Sequence, residues 1–187
     1  RYYEAQNRCV TQQDYEAIAI KFNGIAKARA FVRERSGEAN FIRLYVLTYG
    51  NIQGTVALAN QALKDDLLSY MNSYKMLTDW IEVEDGKWRL VDFFGPAIIS
   101  DGFNPANIRE RIRAVLGLLM DIETREMGQP LRISDVYAAI DNIEGVIFVE
   151  LDSPTQTITP DSNELLLLGN IDFSITLKGS LNYGQNF

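Results

Sequence analysis

Hydrophobic and polar positions along this chain repeat with two different periods, and the switches between them mark out its elements. Over residues 25–35, Ala26, Ala28, Ala30 and Val32 alternate with Lys27, Arg29, Phe31 and Arg33. Successive side chains on a strand point to opposite faces, so this segment predicts a strand with one packed face and one largely basic face. Residues 41–48 are rich in β-branched and aromatic side chains and predict a second strand, paired antiparallel with the first across a Ser36-Gly37 turn. The same alternation returns near the end of the chain, where Ile171, Phe173, Ile175 and Leu177 interleave with Asp172, Ser174 and Thr176.

Other segments carry the helical period. Thr11 as N-cap, with Asp14 three residues on, predicts a short helix through Tyr15, Ile18, Ala19 and Phe22, stopped at Asn23-Gly24. Val56, Ala59, Leu63, Leu67, Tyr70 and Tyr74 fall at spacings of three and four and predict a helix over 56–74, after a Gly50–Gly54 loop. Asn104 and Pro105 open the clearest helix, whose stripe of Ile108, Ile112, Val115, Leu116 and Leu119 leaves Arg109, Glu110 and Arg113 facing away. Ser134 is expected to cap a further short helix through Val136, Ala139 and Ile140, ended at Gly145. Residues 77–83 and 146–151 predict strands, the latter of a buried type. Residues 88–100 are strand-like, with Pro96 arguing for an edge or a break.

This order predicts an α+β fold: a ferredoxin-like α/β sandwich in the first half, then a smaller helix-and-strand domain. The expected domains are residues 1–100 and 101–178, with a polar tail over 179–187. At 187 residues the chain is long enough for a core that needs no covalent staples. It lacks an initiating Met and reads as a piece of a longer polypeptide. The polar start predicts no signal peptide, and no window approaches the ~20 apolar residues of a spanning helix.

Composition narrows the chemistry. The chain has no histidine, and its only cysteine is Cys9. That removes the commonest general base and metal ligand and excludes an internal disulfide. A formal net charge of −7 argues against a nucleic-acid backbone as the main partner. Glu82, Glu84 and Asp85, with Asp92 nearby, offer oxygen ligands for a hard cation, but a solvated strand edge explains them better. The Asp161-Ser162-Asn163-Glu164 run lacks EF-hand spacing and fits a turn. The Gly50–Gly54 loop lacks both the P-loop Lys and the dinucleotide spacing, so a plain strand-to-helix turn is expected. Arg109, Arg111 and Arg113 are offset by neighbouring acids. No nucleophile elbow appears, and Cys9 has no histidine to activate it. The reading is therefore a non-enzyme, with no catalytic, cofactor or metal residue.

Two features remain. Lys27, Arg29, Arg33 and Arg35 give a basic, partly aromatic strand face, similar to the sheets on which single-stranded RNA stacks, though without that module's glycine-aromatic signature. An acidic protein neighbour fits the same face. Trp80, Trp88, Phe93, Phe94 and Phe103 crowd one region and serve either as core or as a protein contact surface.

The order of weak motifs resembles the C-terminal part of baseplate J-like proteins, wedge components of contractile phage tails and related injection machines. RCVTQQDYEAIA (8–19), GIAKARAFV (24–32), the run from ANQALKDD to LVDF (59–93), LRISDVYAAIDNIEGVIFVEL (131–151) and LLLLGNIDFSITL (165–177) carry the resemblance over most of residues 8–177. It implies a structural role in the tail baseplate of a virion assembled in the host cytoplasm. The implied partners are a second copy of the chain and other wedge and hub proteins, with neither nucleic acid nor membrane. Copies would dimerise and join into a ring around the hub, passing on the contraction trigger. The alternative reading is a ferredoxin-like domain that binds RNA or a small ligand.

Overall fold

The computed structural model describes residues 8–33 and 40–180. The Ser36-Gly37 turn, Arg35, residues 1–7 and tail residues 181–187 lie outside the described residues. The chain forms two compact units. One holds residues up to Trp88 together with Asp161–Leu165; the other holds Arg89–Pro160 and the chain from Leu166 onward. The helices and strands together make an α+β fold.

The first unit begins with α1 (Gln12–Ile20), which Thr11 starts through a capping box: its hydroxyl accepts from the Asp14 N–H while Asp14 reaches back to the Thr11 N–H. Strands β1 (Ile25–Arg33) and β2 (Phe41–Tyr49) pair antiparallel, with Ala30 opposite Leu44 and Val32 opposite Ile42. On its other side β2 pairs antiparallel with the short β3 (Val56–Ala57) and parallel with β4 (Trp80–Asp85). Between β3 and β4 lies α2 (Gln61–Asn72). The inward residues Ala28, Ala30, Ile42, Leu44, Val46 and Ile81 meet Tyr15, Ala19, Leu67 and Met71 of the two helices in one core.

Two expectations need correction here. The helix expected over 56–74 starts only at Gln61, because Val56 and Ala57 complete β2's ladder and Asn60 caps the helix by accepting from the Leu63 N–H at 2.8 Å. The strand expected from residue 77 starts at Trp80; Leu77 is fully exposed in the preceding turn.

The second unit carries β5 (Lys87–Ile99, begun in the first unit), α3 (Pro105–Leu119), α4 (Ile133–Asp141), β6 (Val146–Val149) and β7 (Glu164–Leu177), followed by a 3-10 turn. Its sheet runs β6-β5-β7. The α3 stripe is as the pattern predicts: Ile108, Ile112 and Leu116 are buried with Phe93, Ile99, Val136, Ile140, Leu166 and Phe173. Asn104 caps the helix by accepting from the Ala106 N–H at 2.8 Å.

Four details depart from the pattern. Pro96 neither breaks β5 nor marks an edge: β5 is the middle strand, and the Pro96 carbonyl accepts from the Glu150 N–H at 3.0 Å. Beside it, a Cβ on Gly95 would lie 1.9 Å from the Glu150 carbonyl oxygen, so this close backbone approach requires glycine. Ser134 is not the cap of α4; Arg132 holds that position without a side-chain hydrogen bond, leaving Ser134 in the first turn. Strand β6 is not buried, since Ile147 and Phe148 are about half exposed (51% and 48%). Strand β7 begins at Glu164, well before the alternation at Ile171 that predicts it.

Candidate interaction site

The alternation in β1 and β2 packs one face of the first unit's sheet into the helix-covered core; among the described residues none from the opposite face joins that core, although Leu47 on it is fully enclosed. Pairing register fixes what that outer face presents. Arg33 stands opposite Phe41, Phe31 opposite Arg43, and Arg29 opposite Tyr45. Across the parallel pairing, Phe41 aligns with Trp80, Arg43 with Glu82, and Tyr45 with Glu84. Directly opposed residues share a face, so guanidinium groups and aromatic rings alternate over it like a checkerboard.

Specific contacts hold this arrangement. The Phe31 and Tyr45 rings meet edge to face at 5.8 Å between centroids, and the Arg43 guanidinium lies 5.7 Å from the Phe41 ring centre. Arg43 Nε is 3.1 Å from Glu84 and 3.6 Å from Glu82. The Tyr45 hydroxyl contact and the Glu84 charge both push the Arg43 pKa up, so it stays charged. Arg29 sits 3.6 Å from Glu16, whose carboxylate also accepts from the outward Ala30 N–H at 3.0 Å. Glu16 thereby closes part of the free edge of β1, a place where another strand would otherwise add. Between Phe31, Val32, Arg33, Phe41, Arg43 and Tyr45 lies a hollow of about 290 Å³. Of the basic residues singled out in the sequence, Lys27, Arg29 and Arg33 are on this strand; Arg35 lies outside the described residues.

Glu82, Glu84 and Asp85, weighed as cation ligands and read as a solvated strand edge, lie beside basic side chains. Glu82 and Glu84 flank Arg43, and Asp85 pairs with Lys64 at 2.7 Å. Among the described residues no three acids or thiols gather as a metal site. The Gly50–Gly54 loop leads into β3 rather than a helix, and closes on itself through the Gly50 N–H to the Thr55 carbonyl (2.8 Å) and the Thr55 hydroxyl to the Ile52 carbonyl (2.6 Å). It therefore offers no helix N-terminus for a phosphate.

The five aromatics separate by burial. Trp80 on β4 and Trp88 on β5 keep 66% and 38% of their surface exposed. Phe93 is wholly buried in the second unit's core, Phe94 is half-buried, and Phe103 packs against that core.

Sequence reasoning passed over one buried polar centre. Asp79, in the turn before β4, accepts from the Tyr15 hydroxyl and from Asn40 Nδ2 (3.2 Å), while its own carbonyl accepts from Lys75 Nζ (2.5 Å). Nearby, the Cys9 N–H donates to the Tyr74 carbonyl at 2.7 Å. Burial, then the Asp14 and Asp79 charges, pushes the Cys9 thiol up to about 11. A single acid in a turn carries no period, so nothing in the pattern singled out Asp79. Arg125 is likewise buried in the second unit, donating to the Gln129 (2.9 Å) and Pro130 (3.3 Å) carbonyls.

Residues 7–84 match the Baseplate J-like central domain, and residues 97–174 match the Baseplate J-like protein C-terminal domain. No curated protein matches the chain. Among solved structures, one titled as the cryo-EM structure of the anti-feeding prophage (AFP) baseplate, 6-fold symmetrised, contains a similar chain. The identity is 13% and the TM-score 0.59, over 89% of this chain and 38% of that one. This likeness is one of fold, and the chain spans well under half of that protein's length.

Proposed function

Because this chain belongs to the baseplate J-like family, we propose that it is a structural part of a contractile, phage-type tail baseplate, acting by contact rather than by chemistry. The observation that carries this reading is the succession of two domains of one family, central then C-terminal, along a single chain. In finer detail, the chain is a segment of a wedge protein. It associates with a second copy, joins a ring around the hub, contacts other wedge proteins and passes on the trigger for sheath contraction. Closed rings need symmetry-related contacts, and a trigger needs two packings close in free energy. The site of action is the virion tail, with assembly in the host cytoplasm. No helix among the described residues is long and apolar enough to cross a membrane.

Deleting residues 8–177 from the parent polypeptide tests the role. Negative-stain images of the particles should then lack baseplates; normal baseplates would overturn it. Sedimentation of the 187-residue chain at micromolar concentration tests self-association. A strict monomer whose parent assembly also holds single copies would overturn the dimer.

A further inference from the structure

We propose that the hollow on the outer face of the β1–β2 pair binds a carboxylate presented by an extended acidic segment of a partner protein. Four of its six lining residues supply the recognising groups. Phe31 and Arg33 come from β1, and Phe41 and Arg43 from β2. Register puts each arginine opposite a phenylalanine, so the two guanidinium groups occupy one diagonal and the two rings the other. Diagonal neighbours on a sheet face stand about 7–8 Å apart, which leaves room for one carboxyl group between the arginines. Ring edges carry the positive end of the aromatic quadrupole, so the phenylalanines favour the same anion and accept its apolar stem. Guanidinium is also the side chain whose flat fork matches a carboxylate.

The surroundings fix where the segment lies and what it is. Cations stand along β1 (Lys27, Arg29, Arg33), and acids stand along β4 (Glu82, Glu84). An acidic chain is therefore drawn to the β1–β2 side and repelled from β4. Arg33 is exposed and takes part in none of the ion pairs among the described residues, whereas Arg43 is held on its Nε side by Glu82 and Glu84. Among the described residues, Arg33 is thus the arginine of the pair that no carboxylate engages. A hollow of about 290 Å³ on an open sheet face is at the lower limit for enclosing a drug-sized ligand and suits one side chain of a longer segment. A nucleic-acid strand would bring its phosphates against Glu82, Glu84 and the adjacent hollow containing Asp161. The inference rests on the baseplate reading only in expecting a protein as partner; the deletion experiment above decides that reading independently.

The test uses the 187-residue chain and a capped synthetic heptapeptide of alternating aspartate and valine, with an asparagine-for-aspartate version as control. Amide chemical shifts are followed in NMR titrations. The acidic peptide should perturb Phe31, Arg33, Phe41 and Arg43, and the asparagine version should bind about tenfold more weakly. Arg33→Glu should weaken the acidic peptide about fivefold or more, while Arg111→Glu, at an exposed position of α3, should not. Unchanged amide spectra elsewhere show that Arg33→Glu leaves the fold intact. Absence of binding at millimolar peptide, equal binding of both peptides, or indifference to Arg33→Glu would each overturn the proposal. So would an RNA decamer perturbing the same residues in place of the peptide. Self-association that Arg33→Glu abolishes would assign the face to a second copy instead.

Discussion

Tyr15, in α1, donates its hydroxyl to the carboxylate of Asp79, sixty-four positions along the chain, and both residues are buried. Asn40 donates to the second carboxylate oxygen at 3.2 Å. One acid therefore ties the first helix, the start of β2 and the turn into β4 together at the rim of the first unit's core. A carboxylate is costly in such a place unless its oxygens are occupied, and here both are.

Tyr15→Phe keeps the ring in the core and removes one donor from a buried carboxylate. A hydrogen bond to a charged group is worth about 1.5–3 kcal/mol, so the variant should lose about that much stability. Asp79→Asn keeps an acceptor oxygen but removes its charge and should cost a similar amount or less, and the double variant less than the sum, because both singles act on the same bond. Urea denaturation of the four proteins measures the coupling. Additive losses would show that the pair does not act as a unit.

In the second unit, Gly145 follows α4 with φ of +100°, and a Cβ there would fall 2.6 Å from the Phe103 ring. Gly145→Ala meets both penalties at once, backbone strain and a clash with a packed ring. It should lower stability by about 2–4 kcal/mol. Adding Phe103→Leu should recover part of the loss by freeing the space. Thermal unfolding of the single and double variants separates steric crowding from strain.

The features legible in the sequence were those with a period. Alternation placed β1 and the second half of β7, richness in β-branched and aromatic residues placed β2, and the three-to-four spacing placed α3 with its buried stripe of Ile108, Ile112 and Leu116. Thr11 and Asn104 announced their helices because a cap is a local bond. Apart from the misplaced Ser134 cap, what failed was mostly non-local. Val56 fits a helical stripe, but β2 offers it and Ala57 a ladder, and no local pattern records a strand partner. Pro96 reads as an edge signal, yet the chain fits it into a central strand by using its carbonyl. The site was half visible: the basic and aromatic residues of β1 stood out. Their alternation with Phe41, Arg43 and Tyr45 depends on register, which a single strand does not reveal.

Cys9 links structure to pH. Its thiol is buried, and its pKa is raised from the ordinary 9.0 to about 11. The folded chain therefore holds this proton more tightly than the unfolded chain. The resulting stability is complete below about pH 9 and is lost as pH rises through about 11. Tyr15 shifts the same way, through burial and then its bond to Asp79. Unfolding free energy should fall steadily between those two pH values, and less steeply in Cys9→Ala. An aromatic disulfide reagent at pH 8 should label Cys9 slowly in the native chain and quickly in urea. Rapid native labelling would show that the thiol is not held as described.

Trp80, Trp88 and Phe93 allow core and contact surface to be separated by experiment. Phe93 is fully enclosed, so Phe93→Ala should cost about 3–5 kcal/mol and show as loss of folded protein. Trp80 is two-thirds exposed, and Trp80→Ser should change stability by no more than about 0.5 kcal/mol. Large exposed aromatics are the side chains that anchor protein contacts, and removing one at a real contact typically costs about 2 kcal/mol or more of binding. If Trp80 and Trp88 face a neighbour in the baseplate, serine at these positions should leave the isolated chain folded while reducing its incorporation into particles several-fold. Denaturation curves on the purified chain and quantification of the parent polypeptide in purified particles give the two numbers. Full incorporation of both serine variants would remove these tryptophans from the contact surface, and would leave the arginine-phenylalanine face of β1 and β2 as the first unit's principal docking candidate.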